Sequence, residues 1–320
     1  MKLAIALAFS VAAAAPALGA EVNAVASFSI LGDMVARVGG DRVAVTTIVG
    51  PNADSHVYEP RPSDAAAVAG ADIFFINGLG FEGWMDRFVE ATGYTGSLVV
   101  ASDGVEVHEM AELAEGEHGH EHGDHEDHEG HDHEEGDEHG HDHGGTDPHA
   151  WQSLANAVAY ANNIAAGLCT VDVDGCDGYK ANADAYTAEL LELDARVREQ
   201  LAAIPADKRK VITTHDAFGY FGEAYGVQFL APEGISTDSE ASAAQVARLI
   251  TQIKEEGVTA LFVENMSDPR LLQQIATETG LTPGGELYSD ALSDRSGPAP
   301  TYLDMFRYNV GLLVPAMEGK

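Results

Sequence analysis

The sequence predicts an α/β protein of two lobes, each a mostly parallel sheet with flanking helices, joined by one long connector helix. Three observations predict it. Short β-branched or apolar runs alternate with helical patterns before residue 110, and the same alternation returns after residue 205. Between them, residues 179–204 keep Leu and Ala at helical spacing with no Gly or Pro. Alternation of this kind implies parallel strands with crossover helices. About 300 residues remain once the leader is set aside, enough for a substantial core and long enough to favour two domains.

The chain begins MKLAIALAFSVAAAAPALGA, with a basic start at Lys2, an apolar run, and small residues ending at Gly19 and Ala20. That is the pattern of a cleaved secretory signal peptide, expected over 1–20. The apolar stretch is too short and too Ala-rich to favour a retained membrane span, and no other window is long and apolar enough. No cysteine stands at the expected cleavage point, so a lipid anchor has no attachment site and the protein is expected free in a periplasm.

In the N-terminal lobe, 21–177, strands are expected at Val22 to Phe28, Val43 to Val49, Asp72 to Asn77 and Ser97 to Ala101. Helices are expected at Ile30 to Val38, Pro62 to Ala69 and Phe81 to Thr92, with another from about Pro148 to Leu168. The connector is expected over 178–204. The C-terminal lobe, 205–320, repeats the grammar with strands at Lys210 to Thr214, Val227 to Leu230, Val258 to Val263 and Glu286 to Tyr288. Its helices are expected at Ala217 to Ala224, Ala241 to Glu256, Pro269 to Thr279 and Thr301 to Met317.

Ten of the fourteen histidines fall between His118 and His143, inside an acidic run expected to be a mobile, solvated loop over 112–146. They are His118, His120, His122, His125, His128, His131, His133, His139, His141 and His143. Neutral imidazole suits zinc, copper and nickel, and interleaved carboxylates lower the effective charge of a captured divalent ion. Metal contact is the inference. The formal net charge is −35, and residues 112–147 supply fifteen of the acids with no Lys or Arg, leaving about −20 elsewhere. Such a surface repels nucleic acid and anionic lipid. The two cysteines, Cys169 and Cys176, are close in sequence and expected in an oxidising compartment, which favours one local disulfide over two buried thiols.

Outside the acidic run stand His56, His108, His149 and His215. Ligands of open α/β sheets bind beyond the carboxyl ends of the strands. His56 lies in the loop PNADSHVYEPRPSD just after the second strand, and His215 directly follows KVITT. His149 lies in DPHAW, where Asp147 is expected to cap the helix and Pro148 to fill its first turn. A helix N-terminus disfavours imidazolium, so His149 is expected neutral. Asp290, in LYSDAL, also follows a strand. A lone strand-end His is more often structural than a ligand, but three at equivalent rims beside a metal-collecting loop reverse that reading. His108 has no such context and reads as a surface residue.

These residues resemble a known family, the metal-binding proteins of ABC transporters in the cluster A-I group, and within it the zinc-uptake members of ZnuA type. The resemblance runs from about Glu21 to the C-terminus through GPNADSHVYEPRPSD, DPHAWQSLANAVAYANNIA, YKANADAY, TTHDAFGYFGEAYG, LFVEN and LYSDALS. It implies two α/β lobes bridged by a rigid helix, one metal held between them, and delivery to a membrane permease whose ATPase is a separate subunit. By motif position His56, His149 and His215 match the family's ligand histidines, and Asp290 matches a position where many members place a carboxylate. Some zinc members instead use water or an acid beside the first His. Here that neighbour is Ser55, which shifts weight to Asp290 or water. Glu240 is followed by Ala241 where Pro is common, which touches only a helix start. The cysteine pair lies outside the C-terminal lobe, where some relatives carry a disulfide, and would pin the turn into the connector.

Three imidazoles plus one carboxylate or water form a small nitrogen-rich shell that suits tetrahedral zinc, whereas manganese favours more oxygen. Manganese members of the family typically carry Glu where this chain has His215. Copper and nickel can rival zinc in affinity without being the physiological metal. A secreted zinc hydrolase or lyase is the rival from another class, but no H-E-x-x-H occurs and Asp290 would close the site. A metal buffer acting through the loop alone would leave the strand-end histidines accidental. The expectation is therefore a monomeric periplasmic solute-binding protein for Zn2+, not an enzyme, with the His-rich loop collecting or sensing zinc. No Walker sequence is present, so the chain is not the motor.

Overall fold

β1 (Val22–Phe28) is buried along almost its whole length, as a strand covered on both faces must be. The computed structural model describes residues 21–108, 146–258 and 260–319. The expected leader over 1–20 and the ten histidines of the acidic run lie outside the described residues; of the 112–146 run only Thr146 is described. β1 is central in a parallel sheet of order β2-β1-β3-β4, with β2 at Val43–Val49, β3 at Ile73–Ile76 and β4 at Ser97–Val100. The crossovers are α1 (Ser29–Gly39), α2 (Pro62–Ala69) and α3 (Met85–Thr92). α3 begins four residues later than its sequence pattern. The Glu82 carboxylate accepts from the backbone N–H of Asn77 and of Gly78, which folds that stretch into a turn instead of a helix.

The second stretch differs from the single helix expected from Pro148. Ala150–Gln152 is one 3-10 turn, and α4 starts at Leu154 and runs to Val171, so Asp147 does not cap it. α5 (Cys176–Ala202) follows, about 40 Å long at 1.5 Å per residue. Its buried stripe, Tyr179, Ala183, Tyr186, Leu190, Leu193, Val197 and Leu201, steps by three and four residues, the spacing of one helix face. That stripe packs against α1 and α4 at one end and, at the other, against α6 (Gly219–Tyr225) and α9 (Tyr302–Glu318). Cys169 and Cys176 form a disulfide across the turn between α4 and α5. Arg42 grips Asp172 in the same turn at 2.8 and 2.9 Å.

The C-terminal lobe holds a parallel sheet of order β6-β5-β7 and a two-stranded sheet β8-β9. The strands are β5 (Lys210–Ile212), β6 (Gln228–Leu230), β7 (Ala260–Leu261), β8 (Val263–Glu264) and β9 (Glu286–Leu287). The single strand expected over Val258 to Val263 is broken at Phe262. Phe262 N–H donates to Ile212 of β5, while Val263 N–H donates to Gly285 beside β9, so the chain changes partner at that residue. α7 (Ala243–Glu256) starts at a capping box between Ser242 and Gln245, two residues past the expected Ala241, and α8 (Arg270–Thr279) packs beside it. The main apolar core is continuous from the first sheet through α4 and α5 to α9. A smaller cluster lies between the second sheet, α7 and α8. Among the described residues no helix is long and apolar enough to cross a membrane.

Candidate metal centre

Each of the four candidate ligands follows a short strand or turn at the seam between the lobes. His56 is presented by the loop after β2. Asp54 accepts its backbone N–H at 2.9 Å, and Trp84 Nε1 donates to the carbonyl of the preceding Ser55 at 3.0 Å. His215 comes three residues after β5, and its N–H and that of Thr214 both donate to Oε1 of Glu264, at 2.9 and 2.8 Å. Asp290 comes three residues after β9. The carbonyl of its neighbour Ser289 accepts from Trp151 Nε1 and Gln152 Nε2 across the seam, at 2.9 and 2.7 Å.

The four side chains converge. One donor atom from each of His56, His149, His215 and Asp290 lies within 4.8 Å of every other. His56 Nε2 is 3.3 Å from His149 Nε2 and 3.3 Å from Oδ2 of Asp290, and His215 Nε2 is 3.1 Å from that same oxygen. A tetrahedral shell with bonds of about 2.0 to 2.1 Å has donors about 3.3 Å apart, so the spacing fits one small cation. Asp290 and His215 are fully buried, and neither carboxylate oxygen of Asp290 nor Nε2 of His215 has a well-aligned hydrogen bond. Buried polar atoms left this way are costly unless something else satisfies them. A cation at the centre would.

The other ring nitrogens explain the aim of two imidazoles. Asp147 Oδ1 lies 2.7 Å from His149 Nδ1, and Glu264 Oε2 lies 2.7 Å from His215 Nδ1. Backing carboxylates of this kind turn Nε2 toward a metal. His56 is held by packing instead, its ring edge-on to Phe81 with centroids 4.9 Å apart.

In the cleft without an ion, the same carboxylates work against the expected neutral His149. Burial pushes its pKa down, but Asp290 and Asp147 outweigh burial and raise it to about 9. His149 precedes a three-residue turn, not an α-helix, so no helix dipole competes with two carboxylates. For His215, burial is again opposed by Glu264 and Asp290, which hold its pKa well above the ordinary imidazole value. His56 goes the other way, because burial outweighs the pull of Asp290. Asp290 itself is held well below the usual carboxylate range, since His215 and His149 overcome its burial.

Sequence reasoning missed Glu264 and Glu82. Glu264 lies within the LFVEN block, but nothing local shows that it faces His215, 49 residues away. Glu82 is buried and accepts from Ser27 Oγ at 2.6 Å. It fixes the turn whose Asn77 donates to the Pro148 carbonyl at 2.9 Å, one residue before His149. Burial raises its pKa despite those donors. His108, read as a surface residue, sits at the seam with Nδ1 3.2 Å from Oε2 of Glu223.

Comparison with known proteins agrees with this architecture. The profile of the zinc-uptake complex component A periplasmic family, ZnuA, matches residues 24–316. The manganese-binding lipoprotein MntA of Halalkalibacterium halodurans is 34% identical over 300 residues, covering 94% of this chain and 90% of the relative. The iron-binding protein YfeA of Yersinia pestis is 30% identical over 290 residues, covering 91% of this chain and 84% of the relative. Among solved structures, the periplasmic zinc-binding protein TroA from Treponema pallidum superposes with a TM-score of 0.79 at 26% identity, covering 93% of this chain and 99% of that one. The manganese-bound periplasmic metal-binding protein from Candidatus Liberibacter asiaticus gives 0.76 at 26% identity, covering 92% and 99%. The chain belongs to the zinc-uptake complex component A family, the periplasmic metal-binding, substrate-binding components of ABC transporters.

Proposed function

We propose that this protein captures one Zn2+ between its lobes on His56, His149, His215 and Asp290 and delivers it to an ABC permease driven by a separate ATPase. The observation that carries the reading is the convergence of three Nε2 atoms on a buried carboxylate, neither oxygen of which has a well-aligned hydrogen bond. A shell of three nitrogens and one oxygen donor suits zinc better than manganese. The ligands divide evenly. His56 and His149 belong to the N-terminal lobe, proposed as 21–177, and His215 and Asp290 to the C-terminal lobe, proposed as 205–320, with the connector at 178–204. A permease docked across both lobes needs only a small relative shift to break the shell. Interlobe hydrogen bonds such as Thr237 Oγ1 to Asp54, at 2.7 Å, set the closed geometry that such a shift would disturb. The His-rich run over 112–146 acts as an auxiliary collector that binds weakly and exchanges quickly. The protein is proposed to work as an exported, unanchored periplasmic monomer, and no chemical step is assigned to it.

A second reading, manganese or iron as cargo, is favoured by the names of the relatives MntA and YfeA. Equilibrium competition decides between them. Protein lacking 118–143 is dialysed against equal free zinc, manganese and ferrous ion, and the retained metal is measured by mass spectrometry. Zinc at one equivalent supports the proposal. Retention of manganese or iron in preference to zinc refutes it.

A further inference from the structure

Neither carboxylate oxygen of Asp290 has a well-aligned hydrogen bond, so the aim of this ligand is set by the backbone that carries it. β9 ends at Leu287, and among the described residues no strand pairs with the chain beyond it. Asn309 of α9 takes over for one residue. Its Oδ1 accepts the Tyr288 N–H at 3.0 Å, and its Nδ2 donates to the Tyr288 carbonyl at 2.7 Å.

From there the anchors change lobe. The Ser289 carbonyl accepts from Trp151 Nε1 and Gln152 Nε2, at 2.9 and 2.7 Å. The Leu292 N–H donates to Ser29 Oγ at 2.9 Å, and the Leu292 carbonyl accepts the Asn52 N–H at 3.0 Å. Ser29, Asn52, Trp151 and Gln152 all come from the N-terminal lobe. The C-terminal lobe adds a longer contact, from Asn265 Nδ2 to the Ala291 carbonyl at 3.3 Å. Ser29, Trp151, Gln152, Ser289 and Leu292 are buried, so water does not compete for these bonds. Because the peptide joining Ser289 to Asp290 is planar, donors fixed on its carbonyl also fix the direction in which the Asp290 Cα leaves it. Leu292 holds the other side, two residues later.

We infer that Gln152, acting with Trp151, and Ser29 are positioning residues that aim the Asp290 carboxylate at the metal from the lobe to which Asp290 does not belong. Ligand geometry has to hold within roughly 0.5 Å, so the loss of one such anchor is felt at the ion. None of these groups touches the ion, and their effect passes through Asp290. A shift between the lobes then acts on Asp290 through its backbone as well as through the ion, which ties metal retention to the registry of the two lobes. The inference rests on the reading of the cleft as a metal site with Asp290 in its shell.

The test uses the full chain and Co2+, whose visible absorption reports the number and geometry of its donors. Protein is loaded with Co2+, weakly held metal is stripped on a chelating resin, and transfer of the remainder to excess chelator is timed. Gln152→Met keeps the length of the side chain and removes the donor, while Ser29→Ala removes the acceptor. Each is expected to speed release about tenfold, the lower end of what losing an outer partner of a ligand costs. Each should also move the absorption of bound Co2+ toward that of Asp290→Ala. In an Asp290→Ala background the same substitutions should change neither rate nor spectrum, because the group they act on is gone. A contact that merely holds the lobes together, or that acts through His149, would speed release by the same factor with or without the Asp290 carboxylate. That result overturns the inference, as do rates and spectra of both single variants equal to those of the parent. Ser29 and Gln152 lie on different elements, so either variant carries the test if the other does not fold. Release unaltered by Asp290→Ala itself counts against Asp290 as a ligand and takes the inference with it, so failure of the cleft reading is distinguishable from failure of the positioning.

Discussion

Zinc binding should expel protons, and the structure sets how many. In the metal-free cleft His149 has a pKa of about 9 and His215 one well above the ordinary value, so both rings are protonated at pH 7. A ring nitrogen cannot coordinate while it carries the proton. One Zn2+ thus replaces up to two protons, and the buried site keeps the same net charge before and after, which avoids an uncompensated charge in the interior. For His149 alone, binding at pH 7 starts about two units below the pKa, which weakens apparent affinity about a hundredfold relative to pH above 9. Affinity should therefore rise with pH between 7 and 9, about tenfold per unit for one proton and more steeply if His215 titrates with it. Stability of the metal-free protein has the opposite trend. Because the folded pKa of His149 is raised, its contribution is complete below about 6.5 and is lost as pH rises through about 9. Isothermal titration calorimetry at pH 7 in buffers of different ionisation enthalpy counts the protons. Release of between one and two is expected; no release, together with flat affinity from pH 7 to 9, would refute the electrostatic argument.

Glu264→Gln keeps the shape but removes the charge behind His215, and should weaken zinc binding about 10- to 100-fold in a competition assay, the usual cost of losing an outer carboxylate. In protein lacking 118–143, His149→Ala should cost more affinity than Asp290→Ala, since water can replace the Asp290 oxygen. Asp290→Asn reads charge separately from size, and unchanged affinity in both Asp290 variants would remove it from the shell. Deleting 118–143 should lower total zinc stoichiometry while one tight site survives, and loss of that site would contradict the cleft assignment. Replacing Cys169 and Cys176 by Ser opens a loop closed over a separation of 7 residues, which should cost about 2 to 3 kcal/mol in denaturant unfolding with zinc affinity unchanged.

What the sequence determined by itself was everything encoded locally. Periodicity of apolar residues yields β1, β2, α2 and the connector stripe within a residue or two, because a strand or helix face repeats over neighbours in the chain. Positions after strands mark His56, His215 and Asp290, since in parallel sheets all strand ends point to one rim. Only the tertiary structure decided which distant groups meet. It places Glu264 behind His215 and turns Asp147 from a helix cap into the partner of His149. It pairs His108, still partly exposed, with Glu223 across the seam and splits the expected strand at Phe262, where the backbone changes partner. The protonation of His149 follows from the same cause. A pKa depends on charges within a few ångströms in space, and here those charges come from both lobes, brought together by folding across long stretches of chain.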